Sequence, residues 1–343
     1  MTGGRWVQRV VLRVLGMASR AEVAATRARV DTVRQQLRAI EGEIRATRGQ
    51  LDKMAKAIRE TQMHVGSRNR GLEGTLSHVD RNVNALIRRQ YLDQQSLPFP
   101  HDILSQRFHL WSQNEEDGIT LALFKTVGTV HHRFVELGAG VNGGNSGFLA
   151  DVCGWSGLMV DAAEARVAKL AVRFGRFGVK TVAEWVTRET VNTLLTSHAV
   201  PEEVDLVSID IDGNDYWVWQ ALRATSPRVV IVEFNPFFGR SRSVVVRYDP
   251  RFDRRRFKSV TPFFYGASLG ALARLGTELG YRLVLVEPRG INAYFLRNDV
   301  EPSRPAWTPE VLHPKPVAEP AHLFELIERE QLPLIDLERD TAV

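Results

Sequence analysis

Two different periods of apolar residues divide the chain. In the first ninety residues, aliphatic side chains recur every seven positions: Val23, Val30, Leu37, Ile44, Leu51, Ile58, Val65, Leu72, Val79 and Leu86. The companion core position is mostly apolar between Val33 and Met54, and polar at Thr26, Thr61 and Arg68. A 3.5-residue period keeps one seam of a helix facing a partner, so the pattern predicts a coiled coil. It is firm over about 23–62. It loosens toward 90, where Gly66, Gly71 and Gly74 each cost a helix about 1 kcal/mol relative to alanine. A lone helix cannot bury so narrow a seam, which predicts a homo-oligomer held through 23–86.

Beyond residue 100 the period changes. Short apolar runs predict strands at Phe134–Leu137, Gly157–Ala162, Thr181–Val182, Val204–Asp210, Arg228–Phe234, Tyr281–Glu287 and Ala293–Arg297. Amphipathic stretches at about 145–153, 163–175, 188–198, 214–223 and 268–279 predict the helices between them. A capping box at Ser112–Glu115 predicts a further helix running to about Val127, with Glu116 and Asp117 in its first turn. The near-continuous apolar runs 204–209 and 229–232 suit strands covered on both faces. Alternation of this kind predicts a doubly wound α/β sheet with ligands at the C-terminal ends of its strands. Only five residues, 288–292, join the last two strands. So short a link makes that pair antiparallel.

Charge sharpens the division. The chain of 343 residues carries a net charge of +5. Residues 1–90 hold 18 Lys/Arg against 8 Asp/Glu, whereas the remainder holds 27 against 32, so the basic character belongs to the coil. The implied domains are a basic helix and coiled coil over 1–92, a linker over 93–100, an α/β body over 101–300 and a tail over 301–343. Six of the fifteen prolines fall between Pro302 and Pro320, which sets the tail apart from the body, and a short helix is expected at His322–Arg329. A single cysteine, Cys153, excludes an internal disulfide framework and a cysteine-rich zinc site. No apolar run reaches the length of a membrane span. Arg5–Leu15 is basic and amphipathic, a pattern that suits the start of the coil or contact with an anionic membrane surface. The expected location is therefore the cytoplasm, or the periphery of the inner face of the membrane. Nucleic acid is not expected as a partner, because the basic residues have no aromatic residues interleaved.

The densest candidate chemistry follows the first strand. Gly138, Gly140 and Gly143 form a glycine-rich turn, and Asp161 ends the second strand 23 residues after Gly138. The glycines admit a ligand close to the backbone, and the distal acid is placed to accept ribose hydroxyls. Asn142 belongs to the same cofactor-binding turn. Glu136, two residues before the first glycine, would repel a pyrophosphate but suits the ammonium group of S-adenosylmethionine. Asp210, which ends the fourth strand, is assigned to the cofactor as well.

Several segments then point one way: Phe134–Gly140, Gly154–Asp161, Asp205–Trp217, Arg228–Asn235, Tyr265–Leu269 and Gly290–Arg297. Over about 112–300 the body resembles the FkbM-type S-adenosylmethionine-dependent methyltransferases of class I. The resemblance implies a Rossmann-like sheet of seven strands with an antiparallel last strand. It also implies S-adenosylmethionine as cofactor, and O-methyl transfer to a hydroxyl of a glycan, glycolipid or natural product. The chain departs from many class I enzymes in carrying Asn142 where they have a third glycine. The coiled coil lies outside the resemblance.

Acids at neighbouring strand ends supply the expected catalytic set of Asp210, Asp212 and Glu233. One of them would act as general base, or Asp210, Asp212 and Asn235 would hold Mg²⁺ against the acceptor hydroxyl. Asp215 belongs to the same cluster, or else caps the next helix. The insert at about 236–267 mixes aromatic residues with arginines and is expected to form an acceptor lid. Arg247, Tyr248 and Tyr265 are its candidate contacts to an anionic glycan. The alternatives are an NAD(P)-dependent oxidoreductase, a glycosyltransferase built on Asp210-Ile211-Asp212, and a non-catalytic cofactor-binding scaffold.

Overall fold

The computed structural model describes residues 24–36, 99–239, 242–303, 305–306, 322–339 and 341–342, with 38, 42, 50, 53, 54 and 56. The chain divides into two compact units, Met1–Ser77 and His78–Val343. In the first unit residues 24–36 are helical. Of the seam residues described there, Val30 is half-buried, and Val33 and Met54 are 52% and 62% exposed. Most of the heptad seam, the 5–15 segment and residues 93–98 of the linker lie outside the described residues. No helix among the described residues is long and apolar enough to cross a membrane.

The second unit is built on a seven-stranded sheet. Its strands are β1 Arg133–Leu137, β2 Ser156–Asp161, β3 Val179–Ala183, β4 Leu206–Ile209, β5 Val229–Glu233, β7 Tyr281–Val286 and β8 Asn292–Arg297. The spatial order is β3-β2-β1-β4-β5-β8-β7. β1 to β5 are parallel, and β8 runs antiparallel to both β5 and β7. The five-residue link does produce the antiparallel pair, and the last strand inserts between β5 and β7. This arrangement fits a class I methyltransferase fold.

Helices cover both faces, which is why the central strands are mostly apolar, as in 229–232 of β5. Val135, Leu137, Val160, Val207, Ile209 and Val232 pack on α4 Val191–Ser197, α5 Asp215–Ala221 and α6 Leu269–Glu278. The alternate residues Phe134, Met159, Leu206, Val229 and Ile231 pack on α1 Glu116–Val127, α2 Gly147–Asp151 and α3 Glu164–Phe174. The period-2 alternation of a strand sends neighbouring side chains to opposite layers.

One expectation is corrected. Ser112 is not the N-cap residue of α1, although its Oγ accepts the Asp117 N–H at 3.2 Å. That helix begins at Glu116, and the buried Asp117 carboxylate accepts the backbone N–H groups of Leu110, Trp111 and Ser112. An acid inside the first turn has thus folded the preceding loop back onto itself. The described part of the tail packs on the body, as a tail wrapping it would. Its helix α7, Leu323–Arg329, and strand β9, Leu334–Asp336, join the lid insert. β9 pairs antiparallel with β6, Val244–Val246, and with β10, Thr341–Ala342. Leu323, Ile327 and Leu334 pack with Phe238, Val260 and Phe264 of the insert. Three residues of β6 were too few to read as a strand without their partner.

Candidate active site

A cleft of about 1300 Å³ opens at the C-terminal ends of β1, β2, β4 and β5. The glycine turn and Asp161 form one side. Gly138 has φ +91°, a conformation open to glycine, and a Cβ there would overlap the Asp210 carbonyl oxygen. The turn after β1 can therefore lie against the end of β4 only because residue 138 has no side chain. Gly140 N–H donates to Asp161 Oδ2 at 3.0 Å, and Ala163 N–H donates to Oδ1 at 2.8 Å. Arg166 reaches the same carboxylate at 3.4 Å. Oδ2 thus has two donors, whereas Oδ1 has one and keeps acceptor capacity. Asn142 Nδ2 donates to Trp111 O at 2.6 Å, tying the turn to the loop before α1. Gly138, Gly140, Asn142 and Asp161 all line the cleft, as read from the sequence.

Glu136 and Gly143 do not. Glu136 is fully buried beneath Gly144, where a Cβ would strike its carboxylate. Ser146 Oγ donates to its Oε2 at 2.5 Å, and Asn145 N–H donates to its Oε1 at 3.2 Å. Burial pushes its pKa up to about 7. Glu136 shapes the turn from behind, so its expected contact with a bound ammonium group is withdrawn. Gly143 faces inward onto Phe174 and Gly147.

The other side is acidic. Asp210, Asp212 and Glu233 line the cleft, and Asp215 stands behind them. Burial, and then the neighbouring acids, push Asp210 and Glu233 well above the usual carboxylate range. Asp215 accepts the N–H groups of Ile211 at 2.7 Å and Gly213 at 2.9 Å, so its carboxylate holds the turn after β4. Burial raises it to about 6. Asp212 differs from these three. Its side chain is exposed, sits at φ +60°, and pairs with Arg254 of the lid at 3.2 Å. It thus faces a guanidinium, whereas Asp210, Asp215 and Glu233 face one another.

Asn235 is removed from the metal-binding expectation. Its Nδ2 donates to Phe263 O at 2.8 Å and Tyr265 O at 2.9 Å, while Oδ1 accepts Phe237 N–H at 2.9 Å. The amide is spent on folding the base of the lid. Two of the three predicted acceptor contacts also fall away. Arg247 N–H donates to Pro333 O beside the tail strand, and Tyr248 OH donates to Glu189 beneath the Arg188 guanidinium. Neither lines the cleft. Tyr265 does, and burial followed by the Glu233 charge raises its phenol pKa.

The lid wall is instead Arg251 to Arg256 with Phe252, whose ring lies against Gly213. Glu184, Trp185 and Asn292 also line the cleft and were missed. Trp185 is 53% exposed with its indole N–H donated to Pro250 O at 2.8 Å, so it connects the loop after β3 to the lid. A lone tryptophan after a short strand carries no signal of its own. Asn292 was within reach, because it opens the last strand at the end of the sheet that holds the site.

No protein-family model matches the sequence. No curated protein matches it. Solved structures align with parts of it. A putative sarcosine dimethylglycine methyltransferase from Galdieria sulphuraria aligns at 16% identity and a TM-score of 0.30, over 47% of this chain and 58% of that one. The chain thus spans little more than half the length of that structure. An S-adenosylmethionine-dependent methyltransferase from Clostridium acetobutylicum aligns at 11% identity and a TM-score of 0.33, over 52% and 89% of the two chains. An O-methyltransferase from Bacillus cereus in complex with SAH aligns at 13% identity and a TM-score of 0.32, over 64% and 89%. Likeness at this level assigns neither activity nor ligand, which rest on the cleft itself.

Proposed function

We propose that the second unit is an S-adenosylmethionine-dependent O-methyltransferase of the FkbM type, acting on a hydroxyl of an anionic glycan, glycolipid or natural product. One observation carries this reading. A single cleft joins a glycine turn and an acid suited to an adenosine ribose with buried carboxylates at the next strand ends. The residues fit the cofactor. The backbone of Gly138 and Gly140 leaves the approach open, and Asp161 is held by two backbone N–H groups with acceptor capacity left for ribose hydroxyls. Trp185 and Ala162 offer an apolar face for a base, and Glu184 an acceptor for an exocyclic amine. When bound, S-adenosylmethionine supplies a methyl group already activated by its sulfonium.

The chain's part is positioning, exclusion of water and removal of one proton. Glu233 and Asp210 are placed to take the proton of an acceptor hydroxyl, while Tyr265 and Phe252 wall the reacting end from solvent. The arginines at 251 and 254–256 favour an acceptor bearing carboxylate or phosphate. The heptad segment 23–86 is proposed to hold the chain as a homo-oligomer. Sedimentation of the full chain against one starting at residue 93 tests that. Peripheral membrane contact through 5–15 is the companion proposal, tested by flotation with anionic vesicles.

The decisive experiment is calorimetry of the full chain with S-adenosylhomocysteine, NAD and nucleotide sugars, followed by an acceptor screen with labelled methyl donor. Binding of S-adenosylhomocysteine and label in an acidic glycan support the reading. Tight binding of NAD without S-adenosylhomocysteine replaces it with the oxidoreductase. Cofactor binding with no label in any acceptor favours the scaffold.

A further inference from the structure

Three carboxylates, two of them buried and Asp210 half-buried, converge where one would serve as a base. Asp210, Asp215 and Glu233 each offer an oxygen, and the three oxygens lie within 4.8 Å of one another. Arg254, whose charge reaches Glu233, is engaged with Asp212 at 3.2 Å. Oxygens bound to one Mg²⁺ at about 2.1 Å lie at most about 4.2 Å apart, and those on Ca²⁺ at about 2.4 Å at most about 4.8 Å, so the three side chains need to close by only a few tenths of an ångström around the smaller ion.

Acids alone do not define a site. The independent observation is Asn292, which is 1% exposed, lines the same cleft and stands directly opposite Glu233 in the antiparallel β5–β8 pair. Its Nδ2 donates to Glu116 Oε1 at 3.0 Å. A carboxylate only accepts, so the amide orientation is fixed and Oδ1 is directed away from Glu116. That Oδ1 has no hydrogen-bond donor among the described residues, and neither does Glu233 Oε2. Two buried oxygens on facing strands therefore lack a donor, and a buried acceptor left alone costs about 1–3 kcal/mol. A cation satisfies both.

We propose that Asp210, Asp215 and Glu233, with the side-chain Oδ1 of Asn292, the residue facing Glu233, bind a divalent cation of the Mg²⁺ or Mn²⁺ class. The ligands are oxygens only, with no imidazole or thiolate, which selects hard ions. Asp215 is preset by its two backbone N–H donors, each oxygen keeping a lone pair for the ion. The use of the ion rests on the methyltransferase reading, since there it would hold the acceptor hydroxyl and lower its pKa. Its existence does not.

The test uses the full chain after dialysis against EDTA, without cofactor or acceptor. Free Mn²⁺ is followed by electron paramagnetic resonance, with Mg²⁺ as competitor. The expected result is one Mn²⁺ per chain, displaced by Mg²⁺. Glu233→Gln should weaken affinity at least about tenfold, Asn292→Ala by less, and Asp212→Asn, which removes only a nearby exposed charge, by the least. Circular dichroism establishes that each variant is folded. Should Glu233→Gln fail to fold, the wild-type stoichiometry and the Asn292→Ala shift decide. No bound Mn²⁺ at about 1 mM free ion, or affinity unchanged in folded Glu233→Gln, overturns the site. S-adenosylhomocysteine calorimetry on the same preparation separates the two claims. Cofactor binding without Mn²⁺ defeats the cation site alone, and Mn²⁺ binding without cofactor defeats the methyltransferase alone.

Discussion

The two sides of the cleft are built by opposite rules. On the glycine side every polar group is answered. Asp161 has two backbone donors, Glu136 has Ser146 and Asn145, and Asn142 has the Trp111 carbonyl. On the acid side the polar groups are crowded and in part unanswered, with Glu233 Oε2 and Asn292 Oδ1 lacking donors. Buried polar groups are ordinarily paired, and a departure has a cost. The satisfied side is thus a rigid mould whose shape receives a ligand. The unsatisfied side keeps its bonding capacity for the reacting groups.

The sharpest way to break the mould is Gly138→Ala. The new Cβ meets the Asp210 carbonyl at a φ of +91°. Turn and strand end must separate, at a cost of about 3 kcal/mol or more. Chemical denaturation should show the loss, and calorimetry should show S-adenosylhomocysteine binding abolished. An unchanged affinity would mean the turn is not the cofactor site.

On the acid side, Glu233→Gln keeps the shape and removes the charge. Turnover is expected to fall about 10²–10⁴-fold while S-adenosylhomocysteine affinity stays within a few-fold. Loss of cofactor binding with turnover per bound cofactor preserved would move Glu233 to the other side of the comparison.

A smaller effect tests whether Glu136 belongs to the mould. Its pKa is raised by burial from 4.5 to about 7. The folded state therefore holds the proton more tightly than the unfolded chain. The associated stability is fully present below pH 4.5 and is lost as pH rises through about 7. Glu136→Gln cannot titrate. Relative to wild type it should gain stability across that window, with a total on the order of 2 kcal/mol. Denaturation at pH 5 and pH 8 measures the difference, and a constant offset at both values would contradict the assignment.

The smallest expected effect is at Asp161. Asp161→Asn keeps the side-chain volume and can still accept one backbone N–H. It weakens the site for ribose hydroxyls, and S-adenosylhomocysteine affinity should drop about tenfold, near 1.4 kcal/mol. Equal loss of S-adenosylhomocysteine and of free methionine affinity would place the residue away from the ribose.

Much of this was legible in residue order. The central strands were readable because strands buried on both faces are mostly apolar on both, as in 229–232. The antiparallel ending was readable because five residues cannot span a parallel crossover. Gly138, Gly140 and Asp161 were readable because a tight strand–helix turn and a distal acid occupy fixed chain positions. The failures have one cause. Asn235, Tyr248, Arg247 and Glu136 have the chemistry a site needs, and their positions along the chain do not say where that chemistry is spent. Asn235 spends its amide on two carbonyls of the lid, and Glu136 lies under its own turn.

Sequence by itself determined the sheet and its antiparallel end, and the presence of acids at adjacent strand ends. These depend on period, link length and local backbone freedom, all written along the chain. Only the tertiary structure decided that the tail completes the lid, that Asp212 faces a guanidinium while Asp215 turns inward, and that Asn292 meets Glu233 across the sheet. Those outcomes depend on which groups face each other across strands and layers, and that pairing is settled when the chain packs.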